Sequence, residues 1–275
     1  MTTITATQTA QTAQAMNELH GRKASGAMND FKGYAGAELR RTLRDPLYLF
    51  LGIVVPIGFY LLFSGLFGSS PHAPGTLSGN VEIMIAMAVY GGIWACLVAT
   101  GPRIANERSN GWVRNLQLLP ISPWKVLIGR ALVAILFALP AMLLVYATGV
   151  IVHGVSLSFG EWVAIILSMW VGVWPFAIFG IALGYVTNET TAFGVTYGLY
   201  MVLTAAGGLW VPPAILPSTM LSIAKTLPTY HAADLGWRIA NGQAPELASP
   251  IVLVIWAVAF LVLAALFVRR AAKVR

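Results

Sequence analysis

The sequence predicts an all-α, polytopic membrane protein, and three observations carry that prediction. Of its 275 residues 57% are hydrophobic and only 10% charged, with a mean hydropathy of +0.75; soluble domains carry roughly a quarter charged residues. So few charges cannot cover a water-facing surface, so the apolar excess must face lipid. Windows of about twenty apolar residues, enough to cross roughly 30 Å of hydrocarbon, occur six times. Finally, fifteen of the seventeen Lys and Arg residues fall on one side of the bilayer once those windows are threaded.

The elements follow in chain order. Residues 1–28 open with a Thr/Gln/Ala tract that has neither a basic start nor an apolar stretch, so they read as a disordered tail and not as a signal peptide. Asn29 or Asp30 can cap a helix that ends at Pro46. On it Phe31, Tyr34, Ala35, Leu39 and Thr42 share one face, with Arg40, Arg41 and Arg44 pointing away. Residues 29–46 therefore read as an interfacial amphipathic helix at the lipid headgroups; the plainer alternative is basic charge held ahead of a first span. Six spans occupy 47–268: 47–67, 81–101, 131–152, 162–186, 192–211 and 251–268. Residues 269–275 form a basic tail.

Lys and Arg are retained in cytoplasmic loops. Arg22, Lys23, Lys32, Arg40, Arg41 and Arg44 precede span one. Arg103, Arg108, Arg114, Lys125 and Arg130 join spans two and three, and Arg269, Arg270, Lys273 and Arg275 follow span six. Only Lys225 and Arg238 lie opposite, so both termini are expected in the cytoplasm of a multi-pass protein. Split among three membrane-adjacent segments, this charge forms no separate basic domain for nucleic acid.

Pro56, Pro140 and Pro175 lie inside spans and are expected to kink them. Gly180 with Gly184, and Gly194 with Gly198, form GxxxG spacings that favour close helix packing, within the chain or between chains. Ser122 and Pro123 have the order of an N-cap and a first helical residue, starting a helix that runs into span three. Residues 212–250 are neither polar enough for a free loop nor long enough in any apolar run to cross. They read as two short helices, 218–227 capped by Ser218 and 230–240 capped by Thr229, re-entrant or flat on the outer leaflet. There Lys225, His231, Asp234 and Arg238 are expected to form a polar cluster facing water, with Pro217 and Pro228 setting the turns.

Chemistry is as informative where it is missing. No Gly-Lys pair occurs, so the phosphate loop GxxxxGK[ST] is absent and this chain alone is no P-loop ATPase. Neither HExxH nor GxSxG appears, the four histidines lie in separate segments, and the single Cys96 has no intrachain partner. No metal or cofactor site is expected. Glu82, Glu161 and Glu189 sit at span ends, which disfavours an ion-driven carrier built on charge at the bilayer centre. His231 and Asp234, three residues apart, are the best enzyme-like pair, so a membrane-embedded transferase and a noncatalytic assembly partner stand as alternatives.

One stretch carries a family pattern: Glu107, Arg108, Gly111, Arg114, Leu118, Leu119, Pro120, Ile121, Ser122, Pro123, Lys125, Gly129 and Arg130. A second comprises Gly207, Gly208, Pro212, Leu216, Pro217, Leu227, Pro228, Tyr230 and Arg238. Together, in this order on six spans, they resemble the membrane permease subunit of ABC-2-type ABC transporters, the group that includes daunorubicin-resistance permeases. Trp112 departs from the small residue or Thr of many relatives.

The resemblance implies that the segment from Arg103 to Ser122 contains the coupling helix docking on a separate ABC ATPase, present in two copies, with ATP and Mg bound there. The helix over 30–45 would flank that contact. It further implies a second permease copy or sister permease, a bacterial plasma membrane and efflux of the multidrug-resistance kind. Phe59, Phe63, Trp94, Tyr197, Tyr200 and Met201 are then candidate pathway residues. Spans without fixed charge point to a hydrophobic drug or lipid-like substrate.

Overall fold

The computed structural model describes residues 36, 40, 42–68, 77–110 and 123–273, the side chains of 123–125 and 272–273 excepted. The described residues form helices and connecting turns, without a strand. Five helices are long and apolar enough to cross a membrane: Pro46–Phe67, Gly79–Ser109, Val126–His153, Phe159–Val186 and Ala248–Ala271. They coincide with expected spans one, two, three, four and six.

Helix α1, Pro46–Phe67, begins where the preceding chain must turn. Asp45 accepts a hydrogen bond from the Tyr48 amide and Pro46 fills the first helical position, where its missing N–H costs nothing. Asp45 thus caps α1 instead of closing the helix before it. A π turn, Phe50–Val54, precedes Pro56. The proline leaves the Gly52 carbonyl without its helical donor, and the wider turn opens that stretch against the next helix. A Cβ on Gly91 would lie 3.3 Å from Pro56 and 3.4 Å from the Gly52 oxygen.

Helix α2, Gly79–Ser109, is the central pillar: its apolar window is wholly buried, against 17% for the last helix and 22% for α1. Ala86, Ala88, Gly91, Gly92, Ala95, Ala99 and Gly101 make it thin, so its neighbours approach closely. It continues past Pro102, extending span two by about two turns as the charged sequence after Gly101 allowed. Helix α3, Pro123–His153, contains Pro140 and packs along α2.

Span four divides at Val173 into α4, Phe159–Gly172, and α5, Trp174–Val186, with Pro175 in the first turn of α5. Ser158 and Glu161 open α4 with a reciprocal capping box. Gly180 and Gly184 press α5 onto α2: added Cβ atoms would lie 1.9 Å from Thr100 Oγ1 and 2.7 Å from the Gly101 carbonyl oxygen. The other glycine pair differs, since Gly194 and Gly198 have nothing within 4 Å.

Helix α6, Glu189–Ala206, opens on the Asn188 cap and stops five residues before the expected end of span five. The break falls at Gly207 and Gly208, the latter with φ +75°, a backbone favouring glycine. With its Thr and Tyr residues, α6 is not among the five helices long and apolar enough to cross. After a 3-10 turn, Pro213–Ile215, come α7, Ser218–Ala224, and α8, Pro228–Ala240. Ser218 and Thr229 are not caps: the capping positions are Pro217 and Leu227, and Thr229 is buried with its hydroxyl donating to the Leu203 carbonyl at 2.8 Å. Helix α9, Ala248–Lys273, lies against α5, where Phe179 and Phe260 stack at 4.3 Å. Its outer stripe of Ile251, Val254, Ile255, Val258, Leu261 and Val262 is exposed, as a lipid-facing surface requires.

Candidate functional site

At one end of the bundle the last turns of α2 carry a run of polar side chains, and each is tied to a different neighbour. Arg103 reaches back to the N-terminal side of α1, 2.5 Å from Thr42 Oγ1 and 3.9 Å from Asp45, with its guanidinium 5.4 Å from the Tyr48 ring centre. Asn106 and Ser109 donate to the two carboxylate oxygens of Glu189, each at 2.9 Å, fixing the start of α6. Glu107 accepts from Arg130 of α3 at 2.6 and 2.9 Å. This pair is enclosed, with side-chain exposures of 12% and 3%.

Arg108 turns to the C-terminus of α5. It donates to the carbonyls of Tyr185 (2.8 Å), Gly184 (2.9 Å) and Thr187 (3.5 Å) and lies 5.0 Å over the Tyr185 ring. Free carbonyls at a helix end carry partial negative charge, and a guanidinium there satisfies and neutralises them. Glu107 and Arg108 therefore hold α2, α3 and α5 together at this end, and α2 and α3 bracket the rest of the expected coupling segment. Gly111, Arg114, Leu118, Leu119, Pro120, Ile121 and Ser122 lie outside the described residues. So do Phe31, Tyr34, Leu39 and Arg41 of the expected interfacial helix, while Arg40 and Arg44 are exposed.

The expected pathway residues come together as one aromatic seam between α1, α2 and α6. Phe59 packs 5.5 Å from Phe63 and 5.7 Å from Tyr90, Tyr90 lies 4.7 Å from Tyr200, and Trp94 is 5.9 Å from Tyr197 and 5.5 Å from Tyr200. Met201 joins through the Tyr90 hydroxyl. Tyr200 donates to the Tyr90 carbonyl at 3.0 Å, and Trp94 donates to the Tyr48 carbonyl at 3.3 Å. Trp94, Tyr90 and Tyr200 are buried; Phe59, Phe63, Tyr197 and Met201 are half-buried. The seam ends at Trp210, beside a narrow crevice lined by Glu82, Ala86, Trp210 and Trp237 among others.

Helix α8 plugs the opposite end. Gly172 of α4 lies against Ala232, Met169 against Gly236, and the Trp237 indole donates to the Glu82 carbonyl at 2.9 Å. The polar cluster expected to face water is instead enclosed: His231 and Asp234 are each 7% exposed. Lys225 contributes only its carbonyl, 2.8 Å from His231 Nε2. Its partners are Ser249, 3.0 Å from His231 Nδ1 and 2.5 Å from Asp234 Oδ2, and Arg238, which bonds Asp234 at 2.9 Å and Glu246. Here the serine stands between His231 and Asp234, whereas a nucleophilic serine needs the histidine in the middle.

A family model for the ABC-2 type transporter matches residues 30–236, three quarters of the sequence and every helix from α1 to most of α8. The chain belongs to the ABC-2 type transporter family. It is also 27% identical over 247 residues to the Bacillus subtilis (strain 168) protein named "Putative transport permease YvfS", covering 88% of this chain and 98% of that one. It is thus a membrane subunit of a transporter. Within this ABC-2 chain the sequence alone groups Glu107, Arg108 and Arg130 without pairing them, places Glu189 only at a span end, and gives Tyr90, Trp210, Ser249 and Glu246 no role. Of these, Glu189 had a legible signal, since it follows Asn188 as a first-turn acid of a capped helix.

Proposed function

We propose that this chain is the permease subunit of an ATP-driven exporter in a bacterial plasma membrane, moving a hydrophobic or amphipathic compound with energy from a separate ATPase. The observation that carries the reading is the bonded end of α2. Glu107 joins α2 to α3, Arg108 joins it to α5, and Asn106 and Ser109 join it to α6. A displacement applied to the segment between α2 and α3 reaches all of these helices at once, because none can slip against α2 without breaking a charged or charge-assisted contact.

In this reading the segment 111–122 meets the ATPase, with Leu119, Pro120 and Ile121 at its apolar corner, and Glu107, Arg108 and Arg130 act behind it as the transmission. ATP binding closes the ATPase pair, and the closure reorients α2 and the aromatic seam beside it. Helix α6 is the sixth crossing: its eighteen residues rise about 27 Å at 1.5 Å each. Both termini then lie in the cytoplasm, and α7 and α8 re-enter from outside. A second copy or sister permease completes the pathway, and the open Gly194 and Gly198 face of α6 is available to it.

The test is copurification of the full chain with the P-loop ATPase encoded nearest to it. Leu119→Glu is expected to weaken the association while leaving membrane insertion intact. Retention of the ATPase at the wild-type level by that variant removes the docking surface proposed here.

A further inference from the structure

The buried chain Lys225 C=O, His231, Ser249, Asp234, Arg238 holds more hydrogen bonds than a neutral histidine and an ionised aspartate can supply. A carbonyl only accepts, so the 2.8 Å contact with Lys225 places a proton on His231 Nε2. Asp234 Oδ2 accepts from Arg238 Nε at 2.9 Å and stands 2.5 Å from Ser249 Oγ. A carboxylate in that position takes the serine's only proton. The Ser249 oxygen is then left to accept, and the group facing it at 3.0 Å, His231 Nδ1, has to donate. Bulk water does not reach the serine, which is 1% exposed, and His231 Nδ1 is the group within reach. With a neutral ring beside a carboxylate, the form that suits the Arg238 Nε–H on the same Oδ2, either two lone pairs would face each other between Ser249 and Asp234 or the bond to Ser249 would be lost.

We propose that His231, Ser249 and Asp234 form a proton-binding lock, in which His231 holds a proton on both ring nitrogens and ties α8 to α7 and to the start of α9. Above the pH at which an open, solvated imidazole loses its proton, about 6.5, the closed lock binds one proton more than the open one. It is therefore complete at low pH and weakens as pH rises, by up to about tenfold in the opening equilibrium per pH unit. Few other charged or titratable groups face His231. On α8 itself Tyr230 lies edge-on to His231, at 5.5 Å, and burial, followed by the Asp234 charge, pushes its hydroxyl up from the usual range, so it stays neutral. Arg238 is held cationic and is shared with Glu246 before α9. From α7 comes the exposed Lys225; from α2, Glu82 at the Trp237 contact; α4 and α6 present Met169, Gly172 and Leu203, which do not titrate. Ser249 and Glu246 lie beyond the part of the chain matched by the family model, so the lock joins the family region to the last helix.

The experiment is nitrogen NMR of the full chain in lipid nanodiscs, with labelled histidine and His231→Gln to assign the signal, from pH 5.5 to 8.5. The lock requires both His231 nitrogens protonated at the acid end and loss of the Nδ1 proton on raising pH. A ring that carries one proton throughout overturns it. In parallel, amide exchange across α8, corrected for intrinsic rate, should lose protection with pH in the wild type and in Ser249→Thr, which keeps the hydroxyl. Ser249→Ala should abolish that pH dependence. Equal slopes in wild type and Ser249→Ala would contradict the lock, and the wild-type NMR decides the matter without any folded variant of Ser249.

Discussion

Replacing Glu107 by alanine would take from Arg130 the carboxylate that it bonds in an enclosed site, its side chain 3% exposed between α2 and α3. The contact is made at 2.6 and 2.9 Å from one guanidinium nitrogen to both carboxylate oxygens. Coulomb attraction across about 4 Å at an effective dielectric of 20 is about 4 kcal/mol. Breaking a buried pair from one side costs about 3–5 kcal/mol because the remaining charge keeps its desolvation penalty. That is a large share of a net stability of about 5–15 kcal/mol. Glu107→Ala and Arg130→Ala are therefore each expected to lower unfolding free energy by about 3–5 kcal/mol, read from tryptophan fluorescence during denaturation in mixed micelles. The double change Glu107→Leu with Arg130→Met removes both charges and should recover most of the loss. Single losses below about 1 kcal/mol, the range of exposed ion pairs, would refute the enclosed transmission contact. A double variant as unstable as the sum of the two singles would refute it as well.

Two further outcomes follow from the packing and a third from the proposed docking segment. Gly180→Ala drives a Cβ to within 1.9 Å of Thr100 Oγ1 and should cost about 1–3 kcal/mol, whereas Gly194→Ala meets nothing within 4 Å and should be neutral or stabilising by up to about 1 kcal/mol in the same unfolding assay. Trp237→Phe removes the donor to the Glu82 carbonyl at 2.9 Å and should cost about 1 kcal/mol, seen as faster amide exchange in α8 with exchange in α3 unchanged. Leu119→Glu should weaken ATPase binding at least about tenfold, or about 1.4 kcal/mol, as measured by affinity of the purified subunits.

Much of the fold was legible because it rests on local composition. A run of apolar residues long enough to cross gives its own helix whatever surrounds it, so five expected spans coincide with five observed helices. Pro123 as a first helical residue and the kink before Pro175 were readable for the same reason. Span five was overdrawn because hydropathy does not register Gly208, whose positive φ ends the helix although the residues beyond it remain apolar. The caps Ser218 and Thr229 were misplaced because a hydroxyl suits a cap by composition alone, while Thr229 is occupied by Leu203 in another helix.

The site was less legible, since its partners are distant in sequence. Arg108 looked like a docking charge; its carbonyl partners lie 76 to 79 residues away at the end of α5. His231 and Asp234 were visible as a pair, but Ser249, fifteen residues beyond Asp234, decides what they do. Six of the aromatic seam's members were named from their residue type, yet the hub, Tyr90, sits on the face of α2 that only the packing of α6 reveals.

On the proposed function, this ABC-2 chain moves a hydrophobic or amphipathic compound when driven by a separate ATPase. Proteoliposomes containing the chain and the P-loop ATPase encoded beside it, loaded with a lipophilic fluorescent dye, test it directly. ATP added on the ATPase side should drive dye movement that is lost with Leu119→Glu and absent from vesicles lacking either subunit. Dye movement that is indifferent to ATP and to the ATPase, or selective ATP-driven movement of a small hydrophilic ion with none of the dye, would contradict it.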